Sequence, residues 1–494
     1  MRESDIPIVV KIPEKVKAGG AKGYYCKQIF SIKIQRSELM RSNQKRAEPV
    51  SQGELFRKRK SEMTTGERVG LLQEKLYCKA KQELDYRFYV LYDKVFIPYV
   101  LSEAYKRVKA SDGSPGKDGQ SFEQIEQGGL DEFLEELRED LRKRTYKPEA
   151  VKRVWIPKAN GKLRPLGIPV IRDRVAQMAC KLVIEPIFEA DFEDSSYGFR
   201  PNRSSKDAMG AIKGYLQKGK TEVLDADLSG YFDTIPHDKL KKVLELRIAD
   251  KRLLHLISLW LKSPVIEDGR YHKNNGKGTP QGGVISPLLS NIYLHLIDRI
   301  VNNSKSVFYK TGVKIVRYAD DFILIGEKVS QQAKEKLKEL LTRMGLILNE
   351  TKTRELDATK ASFDFLGFTI RYDKGIKGQS KRYWNIVPSA KSAQKVRGKI
   401  RTYLKSGGHY PASQIAEGLN EILRGWLNYY DVPGVSYSSK SKRDLRYYLV
   451  EKLGRYYNRK SQRKSRLYGN RAYEMLVHKY GMIDPTKYAV ARRL

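Results

Sequence analysis

Val313-Lys314-Ile315-Val316-Arg317-Tyr318-Ala319-Asp320-Asp321-Phe322-Ile323-Leu324-Ile325-Gly326 is the stretch around which the rest of the chain is arranged. Two apolar runs flank Tyr-Ala-Asp-Asp, a pattern that predicts two short strands joined by a turn with adjacent carboxylates. A tight turn pushes both acidic side chains out of the sheet, where they repel each other unless a cation lies between them. Hard divalent cations such as Mg²⁺ take oxygen ligands of this kind and often bridge to phosphates. Asp is also a common turn residue for purely local reasons. The dipeptide alone therefore fits a solvated hairpin as well as a metal site, and the remaining sequence has to decide.

Charge narrows the choice. The 494 residues carry 95 Lys+Arg against 58 Asp+Glu, a net charge of +37 and a pI near 9.8. An excess of this size favours a polyanionic partner, because each neutralised phosphate releases condensed counterions. A membrane is not expected: the sequence has no apolar run of spanning length and no amphipathic anchor more basic than its surroundings. Met1 to Lys17 mixes charges with short Ile/Val pairs and is not a signal peptide. Cys26, Cys78 and Cys180 are scattered, which argues for a reducing compartment and against zinc. Thirty-one tyrosines suit base stacking as well as core packing. A cytosolic nucleic-acid-binding protein is the expectation.

Residues 1 to 66 read as a basic, flexible leader, with Arg57-Lys58-Arg59-Lys60 serving either as an RNA-binding arm or as a solvated tail. Helical spacing follows around Leu71 to Lys79, over Tyr86 to Val108, and over Leu130 to Arg144, where Leu134, Leu137 and Leu141 share a face. Val154 to Pro157 and Leu163 to Leu166 flank Asn160-Gly161, which predicts a hairpin with a tight turn. Lys158, Lys162 and Arg164 cluster on it. They fit either a charged edge that resists aggregation or a flap over a triphosphate. Arg172 to Phe188 is helical. Arg200 and Arg203 then sit beside aromatics in a way that would suit a strand of RNA.

Thr221 to Leu228 predicts a second strand ending in carboxylates, with Asp225 and Asp227 on one face. Two-metal phosphoryl transfer needs carboxylates converging from separate elements, so the opening hairpin gains a partner. A helix over Asp250 to Leu261 follows, and a Gly/Pro-rich loop around Pro280-Gln281-Gly282 feeds a helix that runs through Asp298. Gln331 to Met344 is amphipathic and ends at Gly345. Leu346 to Leu348 is expected to resume as a strand, completing a split β-α-β sheet. Phe363 to Phe368 starts another strand pair. Beyond Tyr383 the chain is expected to be helical and basic, with helices over Gln414 to Tyr430, Lys442 to Tyr457 and Leu467 to Tyr480.

The ordered series from Asn160-Gly161-Lys162-Leu163-Arg164-Pro165 through Asp225 to Asp233, Pro280-Gln281-Gly282, Tyr318 to Asp321 and Phe365-Leu366-Gly367-Phe368 resembles the reverse transcriptases encoded by bacterial group II introns. Leu423-Arg424-Gly425-Trp426-Leu427-Asn428-Tyr429-Tyr430 is similar to their maturase, or thumb, domain. Each motif alone is weak; their order and spacing carry the resemblance. It implies an α+β right-hand polymerase, with fingers and palm over residues 67 to 382 and a helical thumb, or maturase domain, over 383 to 494. It implies RNA-directed DNA synthesis and help in splicing the intron RNA, with copying of that RNA into DNA during retrohoming. The implied partners are intron RNA, an RNA template with a DNA primer, and target DNA, in a bacterial cytoplasm.

Carried over residue by residue, the catalytic carboxylates fall on Asp227, Asp320 and Asp321, with Asp225 the alternative if the strand register differs. With the Leu228 carbonyl these would hold two Mg²⁺ ions, for which Mn²⁺ could substitute. Phe232 matches the position beneath the sugar of the incoming nucleotide, where a bulky ring excludes a 2′-hydroxyl. Lys158, Lys162, Arg164, Gln281 and Lys352 match nucleotide-binding positions. Arg200, Arg203, Tyr318, Phe365, Leu366 and Gly367 are expected beside primer and template. The family's Cys/His nuclease is expected to be lacking, since no cysteine follows Cys180. Two other readings share these motifs: a reverse transcriptase recruited to antiviral defence or DNA repair, and a maturase that only assists splicing.

Overall fold

The computed structural model describes residues 63–157, 161, 163–273, 275–280, 282–375, 382–460, 467 and 471–489. The leader expected over 1 to 66 lies almost wholly outside these, as do Lys158, Lys162 and Gln281. Thr64 starts the first helix, Thr65–Gln82, through a reciprocal capping box with Glu67. That helix and Pro98–Lys109 pack on Ile171–Glu189, which is buried along most of its length and forms the spine of the fingers. The helical span expected over Tyr86 to Val108 is interrupted. Phe88 runs extended and exchanges backbone hydrogen bonds with Arg247 and Ala249, both 2.8 Å. Asp250 accepts from the Leu91 and Tyr92 amides, and Pro98 can only begin a helix.

The strands follow in chain order. β1 (Val151–Pro157) and β2 (Leu163–Ile168) form the expected antiparallel hairpin. β3 (Glu222–Ala226) is the strand that leads into Asp227. β4 (Val265–Glu267) and β5 (Arg270–His272) extend the first hairpin into a sheet of order β2-β1-β4-β5. β6 (Lys314–Tyr318) and β7 (Asp321–Gly326) are the hairpin that carries the acidic pair. With β8 (Arg354–Asp357) they make the palm sheet, order β6-β7-β3-β8. The strands of this sheet are antiparallel, and β3 lies between β7 and β8. Strand placement thus brings the two acidic ends together.

Two expectations are corrected here. Leu346 to Leu348 does not form a strand: only Leu348 bridges, to Leu228, and the edge strand is β8. Gly345, at φ +74°, turns the chain so that Leu346 is buried against the core while Ile347 points to solvent. Nor is the chain helical directly beyond Tyr383. β9 (Phe363–Phe365), β10 (Phe368–Lys374) and β11 (Arg382–Pro388) make a three-stranded sheet, and Trp384 and Ile386 of β11 are buried in a core that also takes in Phe363 and Phe368. Trp384, Asn385 and Ile386 are buried in succession, so β11 shows no alternation, and the buried Asn385, which donates to Asp373 at 2.6 Å, breaks the apolar run in the sequence.

Helices begin again at Ala390–Ser406, capped by Ser389, and continue as Ala412–Tyr430, Ser439–Lys460 and Arg471–Tyr480. They enclose a core of their own built on Ile400, Leu419, Leu423, Leu449, Leu453 and Leu476. Among the described residues no helix is long and apolar enough to cross a membrane.

Candidate active site

The β6–β7 register pairs Tyr318 with Asp321, so Ala319 and Asp320 are the two central residues of the turn. Ala319 takes the left-handed conformation, φ +60°, which turns the chain within two residues. Gly198 makes room for this. A Cβ there would lie 2.3 Å from the Ala319 nitrogen, so only glycine lets the two backbones touch. On the neighbouring strand, Ala226 pairs with Phe322, and one step further along the register sets Asp227 level with Asp321. Asp225 pairs with Ile323 and Arg354, two positions deeper in the sheet.

The electrostatics report the same convergence. Burial in the cleft pushes Asp320 above the usual carboxylate range; Asp227 adds to the rise, while the positive charge of Arg164 opposes it. Asp321 is pushed up to about 6, first by desolvation and then by Asp320, Asp227 and Asp225. It keeps an exposed face, so solvent tempers that effect. Asp225 is likewise pushed to about 6 by burial and by Asp227. Arg164, exposed on β2, is therefore within electrostatic reach of Asp320 across the cleft.

Lys352 Nζ donates to Asp227 Oδ2 at 2.9 Å, with the lysine largely exposed. The backbone here is also ordered by a bridge. Asn349 N donates to the Asp227 carbonyl at 2.8 Å, and Ser229 N donates to the Ile347 carbonyl at 2.9 Å. Leu228 is thus the non-hydrogen-bonded member of that bridge, and its own carbonyl turns to the opposite edge, the side of β7.

Phe232 is buried on the short helix Tyr231–Thr234, edge-on to Tyr231 and Phe199. Its carbonyl accepts from Thr279 N at 2.7 Å, which ties it to the loop leading to Pro280. Gly282, at φ +121°, lies where a Cβ would be 2.2 Å from the Gly167 carbonyl, so that loop packs directly on the end of β2. Through these contacts Phe232, the loop and the end of β2 adjoin one another.

Arg200 does not face a nucleic acid. Its guanidinium is buried, makes a two-pronged pair with Glu189, and donates to the Glu193 and Ser196 carbonyls at 2.6 and 2.7 Å. Arg203 is partly exposed, paired with Asp194 at 2.6 Å and lying over Tyr197. Phe365 is corrected too, being buried in the core between the palm and the small sheet. Leu366 and Gly367 form the turn after it, at φ +48° and +78°, and Tyr429 OH donates to the Leu366 carbonyl at 3.1 Å. Tyr318 is half-buried beside the acidic turn. The sequence reading missed Gly198 and Thr353, whose hydroxyl lies 3.5 Å from the Asp227 amide. A glycine between two aromatics was the available signal for the first; the second has none.

A palm of antiparallel strands with acidic residues at the ends of β3 and β6–β7 defines the class: a template-dependent nucleotide polymerase of the reverse transcriptase kind. Residues 156–370 match the model of the reverse transcriptase (RNA-dependent DNA polymerase) family, and residues 393–473 match the group II intron maturase-specific domain. The chain is 36% identical over 360 residues to Protein YkfC of Escherichia coli strain K12, covering 66% of this chain and 93% of that protein. It is 36% identical over 236 residues to the group II intron-encoded protein LtrA of Lactococcus lactis subsp. cremoris, covering 48% of this chain and 39% of that protein. A solved structure, a partial Cas6-RT-Cas1–Cas2 complex, aligns over 51% of this chain and 41% of its own at 24% identity and a TM-score of 0.32, too loose to add to the fold. The chain belongs to the group II intron reverse transcriptases, RNA-dependent DNA polymerases that carry a maturase-specific domain.

Proposed function

We propose that this chain copies RNA into DNA at the cleft between β2, β3 and the β6–β7 turn, assists splicing of its intron RNA, and supports retrohoming of that intron into target DNA from the bacterial cytoplasm. The convergence of Asp227 on Asp320 and Asp321 carries the polymerase reading, since one strand end could supply only part of a site for phosphoryl transfer. Fingers and palm over 67 to 382 and the helical domain beyond are the working division, with the 390–480 helices offering the RNA-binding surface.

The donor set fits Mg²⁺: three carboxylates and the Leu228 carbonyl, all oxygen, with no sulfur or imidazole among them. Among the described residues no three acidic, His or Cys side chains enclose an ion by themselves. Mg²⁺ is commonly bound by one or two carboxylates and completed by substrate phosphates and water. When bound, two such ions would activate the primer 3′-hydroxyl and neutralise charge on the triphosphate.

The chain's own residues do the rest. Asp320 and Asp321 present desolvated carboxylates whose repulsion a cation relieves. Lys352 holds Asp227 in place until substrate arrives. Arg164 supplies a forked cation facing the triphosphate, with Lys158, Lys162 and Gln281 assigned to the same pocket. Phe232 closes the floor where a ribose 2′-hydroxyl would sit. Tyr318, Leu366, Gly367 and Arg203 border the primer and template. Primer extension on an RNA template, with dNTPs compared with rNTPs and Mg²⁺ with chelator, tests the reading. DNA synthesis that needs a divalent ion and is lost in Asp320→Asn is expected; synthesis undiminished in Asp320→Asn or Asp227→Asn would refute the assignment.

A further inference from the structure

Beneath the acidic turn lies one guanidinium. Arg317, next to Tyr318 on β6, is fully buried, and so is Asp298 of the Ser286–Asn302 helix. Arg317 Nε donates to Asp298 Oδ1 at 2.9 Å and Oδ2 at 3.0 Å, and Nη2 donates to the same Oδ2 at 2.5 Å. Nη2 also donates to Ser196 Oγ at 2.6 Å. Nη1 donates to Asn291 Oδ1 at 2.8 Å and to the Ala319 carbonyl at 2.9 Å. Every N–H of the guanidinium is used. Asn291 Nδ2 in turn donates to the Gly198 carbonyl at 2.7 Å, and Gly198 is the residue pressed against the Ala319 backbone.

Stability alone is a poor reason for this arrangement. Removing two charges from water is costly, and well-packed apolar residues of similar volume serve a core as well or better. An apolar side chain could not, however, bond the carbonyl of Ala319. That residue pays roughly 1 kcal/mol or more for its left-handed conformation because it has a Cβ. It also immediately precedes Asp320 and Asp321 in the turn. The guanidinium holds the turn from within, and Gly198 limits it from the side.

We infer that Arg317, held by Asp298, Asn291 and Ser196, is a positioning residue that fixes the Ala319 turn and so aims the Asp320 and Asp321 carboxylates. The inference rests on the reading of those two carboxylates as catalytic. Arg317 itself touches neither substrate nor reacting atoms.

The test uses the full chain in steady-state dNTP addition to a DNA primer on an RNA template, with kcat and KM read separately and thermal denaturation in parallel. Arg317→Met alone strands a buried Asp298 charge and lowers the melting temperature. The double variant Arg317→Met/Asp298→Leu removes both charges and is expected to regain it, while kcat stays down about 100-fold, the scale of a reacting group displaced by about 1 Å. KM for dNTP is expected to move less than about threefold, because substrate contacts are untouched. Arg317→Lys keeps the ion pair with Asp298 but loses the fork. It leaves buried acceptors unpaired and should melt between Arg317→Met and the parent chain, yet still lose kcat, which keeps the question open to refutation if the double variant does not fold. Recovery of kcat along with stability in the double variant, or a parental kcat in Arg317→Lys, would overturn the inference alone, provided Asp320→Asn is inactive. An active Asp320→Asn would bring down the active-site reading and this inference together.

Discussion

Two hairpins face each other across the cleft and are built to opposite specifications. β6–β7 is buried along both strands; Val316, Phe322, Ile323 and Leu324 are fully enclosed. β1–β2 is open, and Trp155, Ile156 and Leu163 remain exposed. The palm hairpin has its register fixed by β3 and its turn pressed against Gly198. The fingers hairpin is attached chiefly along β1, through a short parallel pairing with β4 and an ion pair from Arg153 to Glu267. The contrast matches the roles proposed for each. Groups that stabilise developing charge must be in place before the substrate arrives, whereas a flap must admit a nucleotide and then close on it.

The sharpest way to break the comparison is to test the rigid side first. Asp320→Asn changes one atom at the turn and none of the packing behind it. Primer extension should fall about 10³- to 10⁴-fold in kcat, with the melting temperature unchanged or slightly raised, because one of several mutually repelling carboxylates is gone. A matching loss of stability would mean that the turn, and not the carboxylate, had been damaged.

Phe232→Ala probes the floor between the two hairpins. Discrimination between dNTPs and rNTPs is expected to drop by about 10²-fold, mostly through a gain in rNTP kcat/KM, since the variant removes a repulsive element. The buried ring also supports Phe199 and Tyr231, so the fold should lose about 3 kcal/mol, read by urea denaturation. A loss of stability with sugar selectivity intact would leave Phe232 as a packing residue only.

Arg164→Gln tests the open side. KM for dNTP should rise about tenfold with kcat changed much less and stability within about 0.5 kcal/mol, because the side chain is exposed. Arg200→Gln, in a buried pair with Glu189, should show the reverse, a cost in stability with nucleotide KM unchanged.

That pair of arginines shows where the sequence was legible and where it was not. Strand ends with carboxylates, the Asn-Gly hairpin and the Gln331–Met344 amphipathic helix follow from local pattern, and each formed where its periodicity predicted. Arg200 beside aromatics looks like an RNA contact, yet its fate is set by Glu189, eleven positions earlier, across a helix end. Burial of this charge is decided by how the chain folds back on the helix end, bringing Glu189, Glu193 and Ser196 onto it, and periodicity does not report such a fold. β11 escaped for a similar reason: Trp384 and Ile386 become core only because β10 and the palm lie against them. Arg317 is the extreme case. Its charge, with that of Lys314, was visible in β6, but Asn291 and Asp298 reach it from one distant helix and Ser196 from another segment.

The smallest effect on nucleotide use concerns the root of the open hairpin. Asp173, buried on the Ile171–Glu189 helix, accepts from Tyr146 OH at 2.6 Å and from the Glu149 amide at 2.8 Å, just before β1 begins. Trp260 Nε1 donates to the same Tyr146 oxygen at 2.9 Å. Burial outweighs these hydrogen bonds and pushes the carboxyl up to about 6 from its usual 3.8. A raised carboxyl binds its proton more tightly when folded than when unfolded. Its contribution to stability is therefore full below pH 3.8 and is lost as pH rises through 6, by at most about 3 kcal/mol. Asp173→Asn removes the titration and keeps an oxygen for the Glu149 amide. Urea unfolding from pH 4 to pH 7 should show the variant gaining on the parent chain as pH rises, with dNTP KM little changed if the flap moves above an intact root. A pH-independent difference would mean that Asp173 stays ionised throughout; a large rise in KM would mean that the hairpin hinges at this anchor instead of beyond it.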